Sequence, residues 1–122
     1  MPTNLKMLCV DDNDELRNSL AQQFTDEDFE VDTAEDGEIA LDILMKKQFD
    51  IVLLDMNMPK KDGKTVLQEM KKLSYFPIVI MLTGVDDVAT ALECIKLGAK
   101  DFISKPYDPE ELLHVVIKVL GS

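Results

Sequence analysis

The chain lacks any apolar run of the length needed to span a bilayer. Its first six residues lack the long apolar stretch of a secretory signal. It is short of positive charge, with 13 Lys and Arg against 24 Asp and Glu and a net charge of −11. That balance argues against nucleic-acid binding by this domain, because such affinity comes from cationic side chains on phosphates. An acidic surface can still hold a divalent cation or meet a basic partner. Cysteine is scarce: Cys9 and Cys94 lie far apart in dissimilar apolar contexts and read as buried thiols. A reducing, cytoplasmic compartment follows, with no membrane partner. No Gly-x-x-x-x-Gly-Lys loop is present, so the P-loop grip on a nucleotide is missing. There is no solenoid repeat, low-complexity segment or linker.

What is there suits one domain. The 122 residues are 46% hydrophobic, enough for a sizeable core without disulfide or metal staples. Apolar runs alternate with longer amphipathic stretches. Strands are expected at Lys6–Val10, Phe29–Ala34, Ile51–Leu54, Pro77–Leu82 and Asp101–Ser104. Phe29–Ala34 alternates apolar and polar residues, as a strand nearer an edge would. Between them, Leu16, Leu20 and Phe24 mark one helical face. Ile39, Ala40, Ile43 and Leu44 mark a second, and Val66, Leu67 and Met70 a third. Val88, Ala91, Leu92 and Ile95 mark a fourth helix, which Gly98 ends. The last helix starts at Asp108-Pro109 and is expected to bury Leu112, Leu113, Val116, Ile117 and Leu120. Five strand-helix units imply an α/β fold, a parallel sheet covered by helices on both faces. Residues 4–120 form the expected domain. Residues 121–122 read as a tail or as the edge of a longer protein.

Ligand sites in open α/β sheets lie at the carboxyl ends of the strands. The first strand ends in Asp11-Asp12, the third in Asp55, the fourth in Thr83 and the fifth in Ser104-Lys105-Pro106. Each has a bland reading alone: a helix N-cap, a turn residue, another cap, a solvated lysine. All four at one rim is not what those readings predict. If the first and third strands are neighbours, three carboxylates share one pocket. At about 5 Å and an effective dielectric near 20, each pair repels by roughly 3 kcal/mol. Lys105 offers one compensating charge, and a hard divalent cation would offer two. Without a cation, one acid is expected to have a raised pKa. A carboxylate in such a site can attack phosphorus and form an aspartyl phosphate. The cation, a Lys ammonium and a Thr hydroxyl would stabilise the transferred oxygens.

At these residues the sequence resembles the receiver domain of two-component response regulators, over Lys6 to Leu120. The resemblance is carried by Leu8-Cys9-Val10-Asp11-Asp12, by Asp36-Gly37 with Ala40-Leu41, and by Leu54-Asp55-Met56-Asn57-Met58-Pro59 with Asp62-Gly63. It continues through Met81-Leu82-Thr83-Gly84 and Gly98 to Pro106. It implies a flavodoxin-like (βα)5 three-layer sandwich with strand order 2-1-3-4-5. It implies Asp55 as phosphoacceptor, with Mg2+ or Mn2+ held by Asp12, Asp55 and the backbone carbonyl of Asn57, and by Asp11 through water. Thr83 and Lys105 match the pair that reads the phosphoryl group. Phe102 matches the aromatic switch without a phenol hydroxyl, and Lys105-Pro106 matches a cis peptide. The implied donor is a sensor histidine kinase, a phosphotransfer protein or a small phosphodonor. The implied output is a partner or effector domain that reads the surface of the fourth helix, fifth strand and fifth helix. Such a domain is not an enzyme on an external substrate. It catalyses only its own phosphotransfer and autodephosphorylation.

Met56, Asn57 and the residues after Thr83 occupy positions that tune phosphate lifetime in this family. Ala99 to Ile103 does not closely match receivers joined to winged-helix domains, and the last helix lacks their interface Arg. That lowers the expectation of their symmetric phosphorylation-dependent dimer without removing it. His114 reads as a surface or boundary residue. A haloacid-dehalogenase-type phosphatase would need an acid where Asn57 stands. A flavin carrier would want hydroxyls where Asp11 and Asp12 stand. A pseudo-receiver acting only by contact would not need Asp12, Asp55, Thr83 and Lys105 together.

Overall fold

A computed structural model describes residues 5–121. The strands are β1 (Lys6–Val10), β2 (Glu30–Ala34), β3 (Ile51–Asp55), β4 (Ile78–Thr83) and β5 (Asp101–Ser104). The helices are α1 (Asp14–Asp26), α2 (Gly37–Lys46), α3 (Gly63–Met70), α4 (Val88–Lys96) and α5 (Pro109–Leu120). All strands are parallel, in the order β2-β1-β3-β4-β5. The expected sheet and topology are therefore present, and the alternating strand β2 lies at an edge.

Side-chain alternation along a strand sends successive residues to opposite faces. Leu8, Val10, Val52, Leu54, Val79 and Met81 pack toward α2, α3 and α4, with Ala40, Leu44, Val66, Met70 and Cys94. Met7, Cys9, Ile51, Leu53, Ile80, Leu82 and Ile103 pack toward α1 and α5, with Leu20, Phe24, Leu112 and Val116. Both cysteines are buried free thiols. Burial pushes the Cys9 thiol up to about 12, with a smaller contribution from the charge of Asp11.

Short polar side chains cap four helices. Asn13, Asp36 and Asp62 accept from the backbone N–H groups of Leu16, Ile39 and Thr65 at 3.0, 2.9 and 2.9 Å. Asp108 accepts from Glu110 N–H at 2.8 Å, with Pro109 at the first helical position. Gly98 takes a φ of +119°, the left-handed backbone expected after a helix end.

Two expectations need correction. Leu92 on α4 is 53% exposed, and Cys94 takes the inward position with Ala91. The helix begins at Val88 as its sequence marks suggest, and is entered through a 3-10 turn, Val85–Asp87. On α5 Ile117 is 46% exposed, whereas Val119 is buried. The inward stripe is Leu112, Val116 and Val119, spaced at helical intervals on one face, and Ile117 lies off that face.

Candidate functional site

The same alternation explains which rim residues meet. Cys9, Leu53 and Ile103 face α1 and α5. Two residues further along each chain segment come Asp11, Asp55 and Lys105, so all three continue that face. Register brings their strands together: Val10 lies opposite Leu54, and Asp55 opposite Leu82. Lys105 Nζ sits 3.0 Å from Asp11 Oδ2 and 3.1 Å from Asp55 Oδ1. Thr83 continues the face of Val79 and Met81 instead. It is fully buried, and its hydroxyl donates to the Gly84 carbonyl at 3.0 Å. The backbone still ties it to the site, since Lys105 N–H donates to the Thr83 carbonyl at 2.7 Å. The Lys105-Pro106 peptide is cis.

The three acids divide their work. Asp11 is fully buried, and its Oδ1 accepts from Asn13 N–H at 2.9 Å. Arg17 Nη1 donates to the Asp11 backbone carbonyl at 2.9 Å, fixing the turn into α1. Asn13, not the acid pair, caps α1, so the bland reading of Asp11-Asp12 as a cap does not hold. Asp12 is exposed and makes no hydrogen bond or ion pair among the described residues. Asp55 is buried, and its Oδ1 accepts a long bond from Asn57 N–H at 3.4 Å. Asp11, Asp12 and Asp55 each offer a carboxylate oxygen, and these oxygens lie within 4.8 Å of one another.

Electrostatics record the crowding. Burial pushes the Asp55 carboxyl up to about 6, and the Asp11 charge adds to it; the Lys105 charge and the Asn57 N–H pull the other way. Burial works to lower the Lys105 ammonium, but the bond to Asp11 and the charges of Asp55 and Asp11 outweigh it, leaving it raised. The donor set is all oxygen, one member is exposed and unpaired, and a second, Asp55, is held above the usual carboxylate range chiefly by burial and then by the Asp11 charge. These residues fit a hard divalent cation such as Mg2+.

Phe102 is partly buried against the cluster that includes Met81 and Cys94. Asn57 is exposed, and its side-chain Nδ2 donates to Asp87 Oδ2 at 2.7 Å, joining the β3–α3 and β4–α4 loops. Two participants were not singled out from the sequence. Asp87 lies 30 residues from its partner. Tyr107 buries a hydroxyl with no hydrogen-bond partner. Burial raises its pKa, and the charges of Asp11, Cys9 and Asp55 add to that. Its position after Lys105-Pro106 was the available signal. A surface groove of about 810 Å³ lies between α2 and the α3–β4 connection and shares no residue with the carboxylates. No helix among the described residues is long and apolar enough to cross a membrane.

Comparison with known proteins places the chain in a family. Residues 7–117 match the family model described as the response regulator receiver domain. A probable transcriptional regulator, ycf27, of Cyanophora paradoxa is 45% identical over 107 residues, covering 88% of this chain and 44% of that protein. The regulatory protein AtoC of Escherichia coli K12 is 36% identical over 115 residues, covering 94% of this chain and 25% of that protein. The chain thus spans less than half the length of these relatives. Among solved structures, the receiver domain of NtrX from Brucella abortus superposes with a TM-score of 0.88 at 33% identity, covering 95% of this chain and 98% of that one. The chemotaxis response regulator CheY4 of Vibrio cholerae gives 0.89 at 33% identity, covering 96% and 99%. The family match over nearly the whole chain and the flavodoxin-like topology agree: the protein belongs to the response regulator receiver domain family, a family of regulatory domains in two-component signalling.

Proposed function

We propose that residues 4–120 act as a phosphorylation-dependent signalling switch whose phosphoacceptor is Asp55. The observation that carries this reading is the close group of Asp11, Asp12 and Asp55, with Lys105 bridging Asp11 and Asp55. With a pKa near 6, Asp55 is ionised at neutral pH and available as a nucleophile. A carboxylate oxygen of Asp55 attacks phosphorus of a phosphohistidine on a sensor kinase or phosphotransfer protein. The phosphorus–nitrogen bond breaks, and the imidazole leaves and takes up a proton. Asp12, Asp55 and the Asn57 carbonyl would hold Mg2+ or Mn2+, with Asp11 acting through water, and the bound cation would supply positive charge to the transferred oxygens. Lys105 already stands at hydrogen-bonding distance from Asp55 and adds its own charge there. Autodephosphorylation reverses the state: water attacks the same phosphorus, the phosphorus–oxygen bond to Asp55 breaks, and inorganic phosphate and the free carboxylate are released.

The switch follows from Thr83. Its hydroxyl must leave the Gly84 carbonyl to reach a phosphoryl oxygen. Phe102 then occupies the space released, and the surface of α4, β5 and α5 changes. That is a population shift between two packings. The exposed Val88, Leu92 and Ile117 belong to this region and give an output partner apolar contact. Output passes to a partner, to an effector domain or through a phosphorylation-dependent dimer, in the cytoplasm, with no nucleic acid bound by the receiver itself. Relatives named as transcriptional regulators support an attached effector as one such output. The test is Mg2+-dependent uptake of one phosphoryl group from a small phosphoramidate, read by intact mass. Uptake by wild type and none by Asp55→Asn is expected, and equal uptake by both would remove Asp55 from the role.

A further inference from the structure

Asp36 and Gly37 open α2 and make no hydrogen bond to the clustered carboxylates, yet they bear on the loop that follows Asp55. Gly37 is buried. A Cβ placed on it would fall 2.2 Å from the Lys61 carbonyl oxygen and 2.8 Å from both Lys61 Cβ and Val66 Cγ2. The closest of these is backbone, which cannot swing aside as a side chain would. The first turn of α2 therefore rests directly on the backbone of the β3–α3 loop. Gly63 closes the far end of the same loop. Its Cβ would lie 2.4 Å from the Asp55 carbonyl oxygen, and its N–H donates to the Met56 carbonyl at 2.9 Å.

Asp36 adds a second hold. One carboxylate oxygen caps α2 through Ile39 N–H at 2.9 Å, and the other lies 3.6 Å from Lys60 Nζ. Lys60 has a φ of +67°, a conformation that a side-chain-bearing residue keeps where its surroundings constrain it. Lys61 N–H donates to the Pro59 carbonyl at 2.8 Å, which tightens the loop further. The segment between Asp55 and Gly63, which carries Asn57, is thus seated by α2 on one side and α3 on the other.

We infer that Gly37 and Asp36 are positioning residues: they seat the β3–α3 loop so that Asp55 and the Asn57 carbonyl can share one cation. This rests on the receiver reading above. A small hard cation demands close ligand geometry, so a displaced loop weakens binding while every ligand is still present. Groups that orient metal ligands commonly change affinity by about 10–100-fold when altered.

The experiment uses the whole chain carrying Gly37→Ala and, separately, Asp36→Ala. The second removes a cap and an ion pair without inserting atoms, so it keeps the test decisive if the first does not fold. Val116→Ala, buried on the opposite face of the sheet, is the control for general loss of stability. Amide hydrogen exchange at Gly63 in metal-free protein should quicken in both loop variants, and the Kd for Mg2+ alone should weaken by about ten-fold in Gly37→Ala and several-fold in Asp36→Ala. The control should leave both readouts near wild type. Wild-type exchange and a Kd within about two-fold of wild type in the folded variants would overturn the inference, as would equal changes in Val116→Ala. Wild-type protein that binds Mg2+ but takes up no phosphoryl group would sink the functional reading alone. Normal uptake with unmoved loop variants would sink this inference alone.

Discussion

Lys105 Nζ stands 3.1 Å from Asp55 Oδ1, with the Asp55 side chain 5% exposed and the Lys105 side chain 26% exposed. The same ammonium also reaches Asp11, which is fully buried. Two carboxylates out of contact with water thus depend on one cation for neutralisation. That dependence can be measured.

Lys105→Met should destabilise the metal-free protein at neutral pH, because Asp11 and Asp55 lose the ammonium that pairs with both of their carboxylates. Breaking a fully buried pair costs about 3–5 kcal/mol. Partial exposure of Lys105 lowers the expectation to about 1–3 kcal/mol. Urea unfolding in a chelating buffer checks this, and a loss below a few tenths would show that water already screens the site.

Stability should also respond to pH through Asp55. Its folded pKa, about 6, lies above the ordinary carboxylate value of 3.8. Between those values the folded chain holds a proton that the unfolded chain has released, so stability falls as pH rises toward 6 and levels off above. The loss is on the order of 2–3 kcal/mol. The unfolding free energy of metal-free wild type, minus that of Asp55→Asn, should show this fall between pH 4 and 7. Saturating Mg2+ should flatten it. A difference that rises with pH would mean that Asp55 is stabilised as the anion.

Tyr107→Phe removes a buried hydroxyl that has no partner. Leaving such a group unsatisfied costs about 1–3 kcal/mol, so its removal should be neutral or stabilising by up to about 1 kcal/mol. Thermal unfolding decides it, and a clear loss of stability would mean that the hydroxyl is satisfied in solution.

Gly98→Ala should cost about 1–2 kcal/mol, since φ is +119° and the new methyl would lie 3.1 Å from the Phe76 ring. Because Gly98 lies past α4 at the amino end of β5, phosphoryl uptake should survive. Chemical denaturation and a labelling assay on one preparation separate the two effects.

Much of this was legible before any coordinates. The central strands stood out as short apolar runs bounded by turn residues, as Ile51–Asp55 shows, and β2 by its apolar–polar alternation. The caps Asp108-Pro109 and Gly98 each carry a local backbone requirement. The rim residues Asp11, Asp55 and Lys105 could be placed together because strand ends in a parallel sheet share one edge. Helix phase was less legible. Ile117 and Val119 are both apolar, and only the width of the surface beneath α5 decides which is covered. The buried role of Asp11 against the open one of Asp12 depends on a one-residue step at the end of β1. The Asn57–Asp87 bond and the seat of Gly37 on Lys61 join segments distant in sequence, where local pattern carries no signal.

The central claim concerns which carboxylate in the cluster becomes phosphorylated. The direct measurement is peptide mapping by mass spectrometry after labelling with a small phosphodonor and Mg2+, on wild type, Asp11→Asn, Asp12→Asn and Asp55→Asn. The account predicts label on the peptide bearing Asp55 in wild type, reduced label on that same peptide in the Asp11 and Asp12 variants, and none in Asp55→Asn. Label on Asp11 or Asp12 in wild type, or undiminished label in Asp55→Asn, would contradict it.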